Sequence, residues 1–312
     1  MRLLRRRFIQ QSALGLASLP VWSAAARATT APSEPGMGEP RYIDVAGIRT
    51  RYFEAGSGPP LVLIHGGQFG MDYSARNWAP IFGQLANRYH VFAFDKLGQG
   101  ETDDPPSDEH WTMAAVISHA WGFIEAMGLP EFHLAGHSRG GLPAARIGID
   151  HPDRVKRLII FNSNTLAPDD PSTPEDFYVK LLAANPPESP KWPNAKQKLE
   201  EVTRRWAAEH KERVAENPSL ANAFAPSPWF IHDLKYETLD LIAAGRLRAP
   251  TLIIWGFNDV SAPYKLGVKL IDIVAPRVKP TRFYVLNEAG HEPYADHPGE
   301  VVRLMIDFIT HG

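Results

Sequence analysis

A serine flanked by glycines is the part of this sequence with the most evident chemistry. Residues 136–140 read Gly-His-Ser-Arg-Gly and lie between an apolar run, residues 131–135, and a helix-compatible segment, residues 141–150. A serine hydroxyl becomes a useful nucleophile when a sharp strand-to-helix turn presents it to a base and to backbone N–H donors. Glycines two residues before and after Ser138 give such a turn the room it needs. The same pattern also occurs in ordinary glycine-rich loops, so an acid and a histidine must support it.

A carboxylate and a histidine follow Ser138 in the order that such chemistry needs. The carboxyl end of an apolar, β-rich run holds Asp259, and the loop after a later run of the same kind holds His291. We predict Asp259 as the acid and His291 as the general base, because the order Ser, Asp, His is one of the known triad orders. Asp259 has an alternative interpretation as a turn residue. His297 is a competing histidine, but it lies beside Pro298, where a helix is expected to begin.

A glycine-rich loop is the predicted source of backbone donors. Residues 65–67 read His-Gly-Gly and follow the buried strand-like run of residues 61–64. Acyl transfer needs two preorganised N–H groups aimed at the developing oxyanion. We assign these donors to Gly67 and to Arg139, the residue after the nucleophile. A purely structural turn is the alternative for the His-Gly-Gly sequence taken alone.

Together these motifs make the chain similar to the α/β-hydrolase-fold serine hydrolases from about residue 41 onward. The similarity extends to residues 94–102, Phe-Asp-Lys-Leu-Gly-Gln-Gly-Glu-Thr. It implies an α/β fold with a mostly parallel eight-stranded sheet flanked by helices, and a helical cap inserted after strand 6. The implied core comprises residues 41–164 and 249–312, and the implied cap comprises residues 165–248.

Within that family, the chain resembles the meta-cleavage-product hydrolases, which cut carbon–carbon bonds in dienoates. The resemblance rests on residues 95–100 and 161–165. That subgroup usually carries asparagine before the serine and tryptophan after the histidine, both near the substrate, whereas this chain has His137 and Glu292. The resemblance implies substrate contacts at His137 and, through an asparagine that follows the oxyanion loop, at Asn77.

Aromatic side chains are concentrated in the predicted cap. Two helix-like stretches, residues 175–184 and 195–216, contain no strand signal. Large aromatics at helical spacing usually pack against one another, but as a group they indicate an apolar acyl or aromatic pocket. We select Trp229 among them as a substrate contact. The group consists of Phe177, Tyr178, Trp192, Trp206, Phe224, Trp229 and Phe230.

The amino terminus predicts export. Three arginines at positions 5–7 precede a moderately apolar run over residues 12–22, and residues 26–28, Ala-Arg-Ala, follow as a small-residue cleavage site. This is the pattern of a twin-arginine signal, residues 1–28, cleaved after Ala28 and followed by a Pro/Gly-rich spacer, residues 29–40. The run is too short for a permanent span of about twenty residues, although an uncleaved anchor is the alternative. We expect a periplasmic or secreted protein that uses the twin-arginine translocation machinery.

Composition favours an enzyme that acts on small molecules. After residue 28 the chain carries 28 basic and 35 acidic side chains, a net charge of −7, which disfavours nucleic acid as a partner. The chain has no cysteine, so a disulfide or a thiol nucleophile is excluded. His291 and His297 are six residues apart, whereas the histidines of a zinc-protease helix are four apart. We therefore expect catalysis by side chains, without a metal or a cofactor.

Three functions are consistent with these features. The first is an exported carboxylesterase or lactonase for a small apolar or aromatic substrate. The triad is complete, and the export signal predicts a location outside the cytoplasm, where ring-fission pathways operate. The second is a carbon–carbon bond hydrolase of the meta-cleavage (2-hydroxy-6-oxo-dienoate) type. The third is a non-catalytic binding protein on a hydrolase scaffold. The sequence gives no indication of the oligomeric state.

Overall fold

An eight-stranded sheet forms the centre of the protein. The structure, a computed structural model, describes residues 36–67, 69, 73–169, 201, 204, 205, 207–209, 211–216 and 228–312. The strands are β1 Arg41–Val45, β2 Ile48–Ala55, β3 Pro60–Ile64, β4 His90–Phe94, β5 Phe132–His137, β6 Val155–Phe161, β7 Thr251–Gly256 and β8 Thr281–Leu286. Their order is β1-β2-β4-β3-β5-β6-β7-β8. The pairs of β2 with β1 and β4 are antiparallel, and all other pairs are parallel. The predicted fold is confirmed.

The central strands bury both of their faces, which explains why they appear in the sequence as continuous apolar runs. In β3, Leu61 and Leu63 pack into one hydrophobic cluster, whereas Val62 and Ile64 pack into a second cluster across the sheet. All four side chains are fully buried. Alternate residues of one strand thus serve two cores, as the period of two in a strand requires.

Helices cover both faces of this sheet. They are α1 Ala79–Ala86, α2 Met113–Ala126, α3 Gly141–Asp150, α4 Lys211–Glu216, α5 Pro228–Ala243, α6 Tyr264–Val274, α7 Pro293–Asp296 and α8 Pro298–His311. Side chains of α2, α3, α5 and α6 join the cluster that contains Val62, and those of α1, α7 and α8 join the cluster that contains Leu61. Within the described ranges, no helix has the length and apolar character needed to cross a membrane.

Local signals explain where α2 and α8 begin and end. Thr112 caps α2, because its hydroxyl oxygen accepts a hydrogen bond from the N–H of Ala115 at 3.2 Å. Gly128, with φ of +64°, allows the chain to leave that helix in the left-handed region. Pro298 opens α8, as expected for a proline at the first helical position.

The predicted cap is described only in part. Helices α4 and α5 lie between β6 and β7, at the place where the sequence predicts a helical insertion. The predicted helix at residues 175–184 lies outside the described residues, and so do the predicted signal and the spacer up to residue 35.

The parallel strands bring distant parts of the sequence to one edge of the sheet. The last residue of β3, Ile64, pairs with Phe94 of β4 and with Gly136 of β5. Farther along, Phe161 of β6 pairs with Ile254 of β7. The loops that follow these strands therefore meet at the carboxyl edge, where open α/β sheets bind their ligands.

Candidate active site

Ser138 occupies a strained turn between β5 and α3. Its φ is +51°, a left-handed conformation that is uncommon for a residue with a side chain. A Cβ added to Gly136 would lie 2.4 Å from the carbonyl oxygen of Gly140, and one added to Gly140 would lie 2.3 Å from that of Ile64. Both flanking positions therefore require glycine, as predicted for a turn that presents a nucleophile.

A chain of hydrogen bonds links Ser138, His291 and Asp259. The Oγ of Ser138 lies 3.0 Å from Nε2 of His291, and Nδ1 of His291 lies 2.7 Å from Oδ2 of Asp259. A carboxylate oxygen can only accept, so Nδ1 carries the proton and Nε2 is left to accept from the serine hydroxyl. The side chain of Asp259 is fully buried, whereas that of His291 is 23% exposed. This arrangement can remove a proton from Ser138 and place a positive imidazolium against a carboxylate.

Asp259 is held as an ionised acceptor by several further donors. Its Oδ1 accepts from the N–H groups of Ser261 and Ala262, each at 2.8 Å. Its Oδ2 also accepts from Nδ2 of Asn162 at 2.6 Å. Burial raises the pKa of Asp259, but the hydrogen bond and the charge of His291, together with these donors, outweigh it, so the pKa lies below its usual value. These contacts make Asp259 a partner of the histidine, and they are more than a turn residue would need.

Asn162 belongs to the site, although the sequence alone predicts no role for it. It directly follows β6, its φ is +40°, and it is completely buried. Its Oδ1 accepts from the N–H of Gly256 at 3.3 Å. Asn162 therefore connects the ends of β6 and β7 and fixes the carboxylate between them. Its position after a buried strand, at the same sheet edge as Asp259, is the signal that identifies it.

His137 lies beneath the catalytic histidine and is completely buried. Its Nε2 donates to the main-chain oxygen of His291 at 2.8 Å, and its Nδ1 accepts from the hydroxyl of Tyr294 at 3.1 Å. Burial, assisted by the charge of His291, holds the pKa of His137 well below its usual value, so the ring is neutral. The predicted substrate contact at His137 does not fit this geometry, because both ring nitrogens are bonded to protein and the ring has no exposed surface.

The predicted oxyanion loop packs directly on the elbow. A Cβ added to Gly66 would lie 3.0 Å from Cβ of Ser138. Gly67 has φ of +72°. Nδ1 of His65 donates to the oxygen of Gly66 at 2.7 Å, and Nε2 of His65 accepts from the N–H of Lys96 at 3.0 Å. Since the Gly66 carbonyl and the Gly67 N–H belong to the same peptide group, this neutral, buried imidazole fixes the direction of that N–H.

Arg139 follows Ser138 in the short turn that leads into α3, and its residue is buried, with 3% of its surface exposed. Its main-chain N–H therefore lies at the amino end of a helix, where backbone N–H groups favour negative charge. This is the position that the sequence assigns to the second oxyanion donor.

Asn77 reaches the edge of the site through Glu292. Its Oδ1 accepts from the N–H of Ser74 at 2.9 Å, and its Nδ2 donates to Oε1 of Glu292 at 3.1 Å. Glu292 follows the catalytic histidine, and burial gives its pKa a net rise despite the charge of His291. Asn77 thus holds the side chain of Glu292 beside the catalytic base, His291. Trp229, the third predicted substrate contact, is the second residue of α5, and its side chain lies outside the described residues.

Comparison with known proteins gives a consistent result for the fold. Residues 59–298 match the alpha/beta hydrolase fold family. The chain is 27% identical over 280 residues to 2-hydroxy-6-oxo-6-(2'-aminophenyl)hexa-2,4-dienoic acid hydrolase of Metapseudomonas resinovorans, covering 86% of this chain and 90% of that protein. It is 28% identical over 284 residues to 2-hydroxymuconate semialdehyde hydrolase of Pseudomonas sp. (strain CF600), covering 86% and 93%.

A solved structure shares this fold. The meta-cleavage product hydrolase CumD from Pseudomonas fluorescens IP01 superposes with a TM-score of 0.61 at 22% identity, covering 86% of this chain and 97% of that one. At this identity the likeness concerns the fold.

Proposed function

Because the chain belongs to the alpha/beta hydrolase fold family, we propose that it is a serine hydrolase that works through a covalent intermediate on Ser138. The observation that carries this proposal is the continuous hydrogen-bonded chain from Ser138 through His291 to Asp259, with distances of 3.0 and 2.7 Å. A hydrolase-fold protein that only binds ligands has no need for a buried acid, here Asp259, that accepts so many hydrogen bonds.

The reaction begins when Ser138 Oγ attacks a carbonyl carbon of the substrate and Nε2 of His291 takes the hydroxyl proton. Asp259 stabilises the imidazolium, and the N–H groups of Gly67 and Arg139 donate to the oxyanion. The intermediate collapses as His291 returns the proton to the leaving group. Water, deprotonated by the same histidine, then attacks the ester on Ser138 and releases the carboxylic acid.

Our first candidate for the bond that is cleaved is a carbon–carbon bond of a dienoate. Two relatives that align with 86% of this chain are named as hydrolases of that chemistry. When a carbon–carbon bond breaks, the departing carbon must take a proton, and the imidazolium of His291 is the group that holds one at the site. The comparisons thus support this reaction better than the ester or lactone that the sequence placed first.

An ester or lactone remains the second candidate because of one observation. Glu292 carries an acidic side chain next to the catalytic histidine, where the dienoate hydrolases usually have tryptophan. The bond from Asn77 keeps that side chain at the edge of the site. A carboxylate there disfavours an anionic substrate and leaves a neutral ester unaffected.

We also propose that the protein is exported, since the arginines at positions 5–7 and the Ala-Arg-Ala sequence of residues 26–28 fit a twin-arginine signal. Cell fractionation of the full chain tests this. We expect a mature periplasmic form that begins after Ala28, and retention in the cytoplasm when Arg5 and Arg6 are both changed to lysine. A wild-type protein found only in the cytoplasm would contradict export.

The substrate proposal is tested by assaying one preparation on a ring-fission dienoate and on a panel of nitrophenyl esters, with Ser138→Ala and Ser107→Ala beside the wild type. Ser107 is an exposed serine outside the site and serves as the matched control. We expect dienoate turnover to exceed ester turnover, and both to disappear only in Ser138→Ala. Ester turnover far above dienoate turnover would reverse the order of the two substrates. Full activity in Ser138→Ala would contradict the proposed function.

A further inference from the structure

Lys96 is a lysine that is almost completely removed from solvent, with 1% of its surface exposed. It lies two residues after β4, whose last residue pairs with Ile64 at the end of β3. The side chain of Lys96 therefore lies beside the loop of residues 65–67 that follows β3. Its Nζ donates a hydrogen bond to the main-chain oxygen of Gly67 at 2.7 Å.

A buried amine at this place is costly for the fold. Burial, together with the charge of Arg139, holds the pKa of Lys96 well below its usual value. An unbranched apolar side chain such as methionine fills a similar volume and carries no amine to desolvate. The contribution that only the lysine makes is the hydrogen bond to the Gly67 carbonyl.

Gly67 has no side chain to restrict its conformation. Its φ is +72°, and a Cβ would lie 2.4 Å from Cβ of Tyr73, so only glycine fits. Neighbouring peptide groups rotate easily about such a residue. The peptide before Gly67 is held by His65, which bonds the Gly66 oxygen and accepts from the N–H of Lys96. The peptide after Gly67 is held by Nζ of Lys96.

From this geometry we propose that Lys96 is a positioning residue for the oxyanion donor: it anchors the carbonyl of Gly67 and so prevents the loop that carries the Gly67 N–H from moving away from the reacting carbonyl oxygen. The inference rests on the proposed function, since it assumes that Gly67 donates to an oxyanion at Ser138. His65 holds the peptide plane that carries the Gly67 N–H, and Lys96 holds the carbonyl on the other side of the same α-carbon, so the backbone of the donor residue is anchored on both sides. Preorganised donors of this kind supply their stabilisation without reorganisation during the reaction.

The test compares Lys96→Met with the wild type on whichever substrate the wild type hydrolyses. Complete removal of one oxyanion donor costs roughly 100- to 1000-fold in kcat, and a donor that is present but misdirected should cost less. We expect kcat to fall about 10- to 100-fold, with KM changed by less than about twofold, because the loop acts on the transition state. The affinity for a transition-state mimic, such as a trifluoromethyl ketone, should weaken by the same factor as kcat.

Lys265→Met is the matched control, because Lys265 is an exposed lysine on α6. It should keep the kcat and the inhibitor affinity of the wild type. Wild-type kcat in folded Lys96→Met would overturn the proposal, and so would a loss of kcat without a loss of affinity for the mimic. If Lys96→Met does not fold, Lys96→Gln is measured in the same way. Its shorter side chain cannot keep the 2.7 Å contact, so a wild-type kcat in that variant would also overturn the proposal.

A failure of this inference can be told from a failure of the proposed function by the labelling rate of Ser138 with a fluorophosphonate. That reaction needs the nucleophile, the base and the oxyanion donors, but no knowledge of the substrate. Slower labelling in Lys96→Met than in the wild type supports the positioning role. No labelling of the wild type indicates that the proposed function itself is wrong.

Discussion

Replacing His137 by asparagine tests a residue that bonds the main chain of the catalytic base and also packs its ring against that base, with 4.8 Å between the ring centroids. Nε2 of His137 donates to the His291 carbonyl oxygen at 2.8 Å, and the shorter side chain of asparagine cannot reach that oxygen. The loop that carries the base then loses its link to β5. We expect a less stable protein and a displaced imidazole, because one hydrogen bond serves both purposes.

The magnitude follows from the groups that are left without partners. A buried polar group that loses its hydrogen bond costs about 1–3 kcal/mol. The His291 carbonyl and the Tyr294 hydroxyl both bond to the ring of His137. We therefore expect a loss of about 2–6 kcal/mol in the free energy of unfolding when both are affected. In the reaction, a displacement on the order of 1 Å costs about 100-fold, so kcat should fall by about 10- to 100-fold.

The assay combines urea denaturation with steady-state kinetics on the same preparations. His137→Gln is the control, because the amide nitrogen of glutamine extends about as far as Nε2 of histidine and can donate to the same carbonyl. It should recover much of the stability and of kcat. Wild-type stability and kcat in His137→Asn would refute this reasoning. A loss of stability with unchanged kcat would show that His137 only packs the core and does not position His291.

Three further predictions concern the acid, the elbow and a distant histidine. Asp259→Asn should lower kcat about 1000- to 10,000-fold, since an amide allows His291 to adopt the wrong tautomer, and a kcat within tenfold of the wild type would contradict its role. Gly140→Ala places a Cβ 2.3 Å from the main-chain oxygen of the last residue of β3. Urea denaturation should therefore show that the free energy of unfolding falls by about 3 kcal/mol or more. The control Gly299→Ala, in the first turn of α8, should leave that free energy unchanged or raise it. Burial lowers the pKa of His119 from 6.5 to about 4, and a lowered pKa means that its contribution to stability is complete above pH 6.5 and is lost as the pH falls toward 4. Urea denaturation at several pH values should therefore show that the free energy of unfolding falls as the pH falls, and that His119→Gln reduces this fall by up to about 3 kcal/mol. If His119→Gln has the same dependence of stability on pH as the wild type, His119 is not the group responsible.

The strands of the sheet could be predicted from the sequence because each strand is marked by a local pattern of apolar residues. The strand-like run at residues 61–64 lies within β3, and the apolar run at residues 131–135 leads into and overlaps β5. Strand β3 is buried on two faces, so its apolar run is continuous and hard to confuse with a loop. The elbow was predictable because Gly136 is required by a contact with Gly140, four residues away, within the motif itself.

The contacts around the triad were not predictable because they join residues far apart in the chain. His137 reaches the carbonyl of a residue 154 positions later, and the motif around Ser138 determines the backbone of that turn but not where its neighbouring ring points. In the same way, the amide of Asn77 meets Glu292 across 215 positions. Spacing places such residues at the same edge of the sheet, but only the packed side chains decide which of them bond.

The most direct test of the proposed function is to locate the covalent intermediate by mass spectrometry of digested protein after brief reaction with a fluorophosphonate and, separately, with a slowly released ester. We expect one adduct, on the peptide that contains Ser138, in the wild type and in Ser107→Ala, and none in Ser138→Ala. An active wild-type enzyme with its adduct on another residue would contradict the proposed role of Ser138, as would equal labelling of Ser138→Ala.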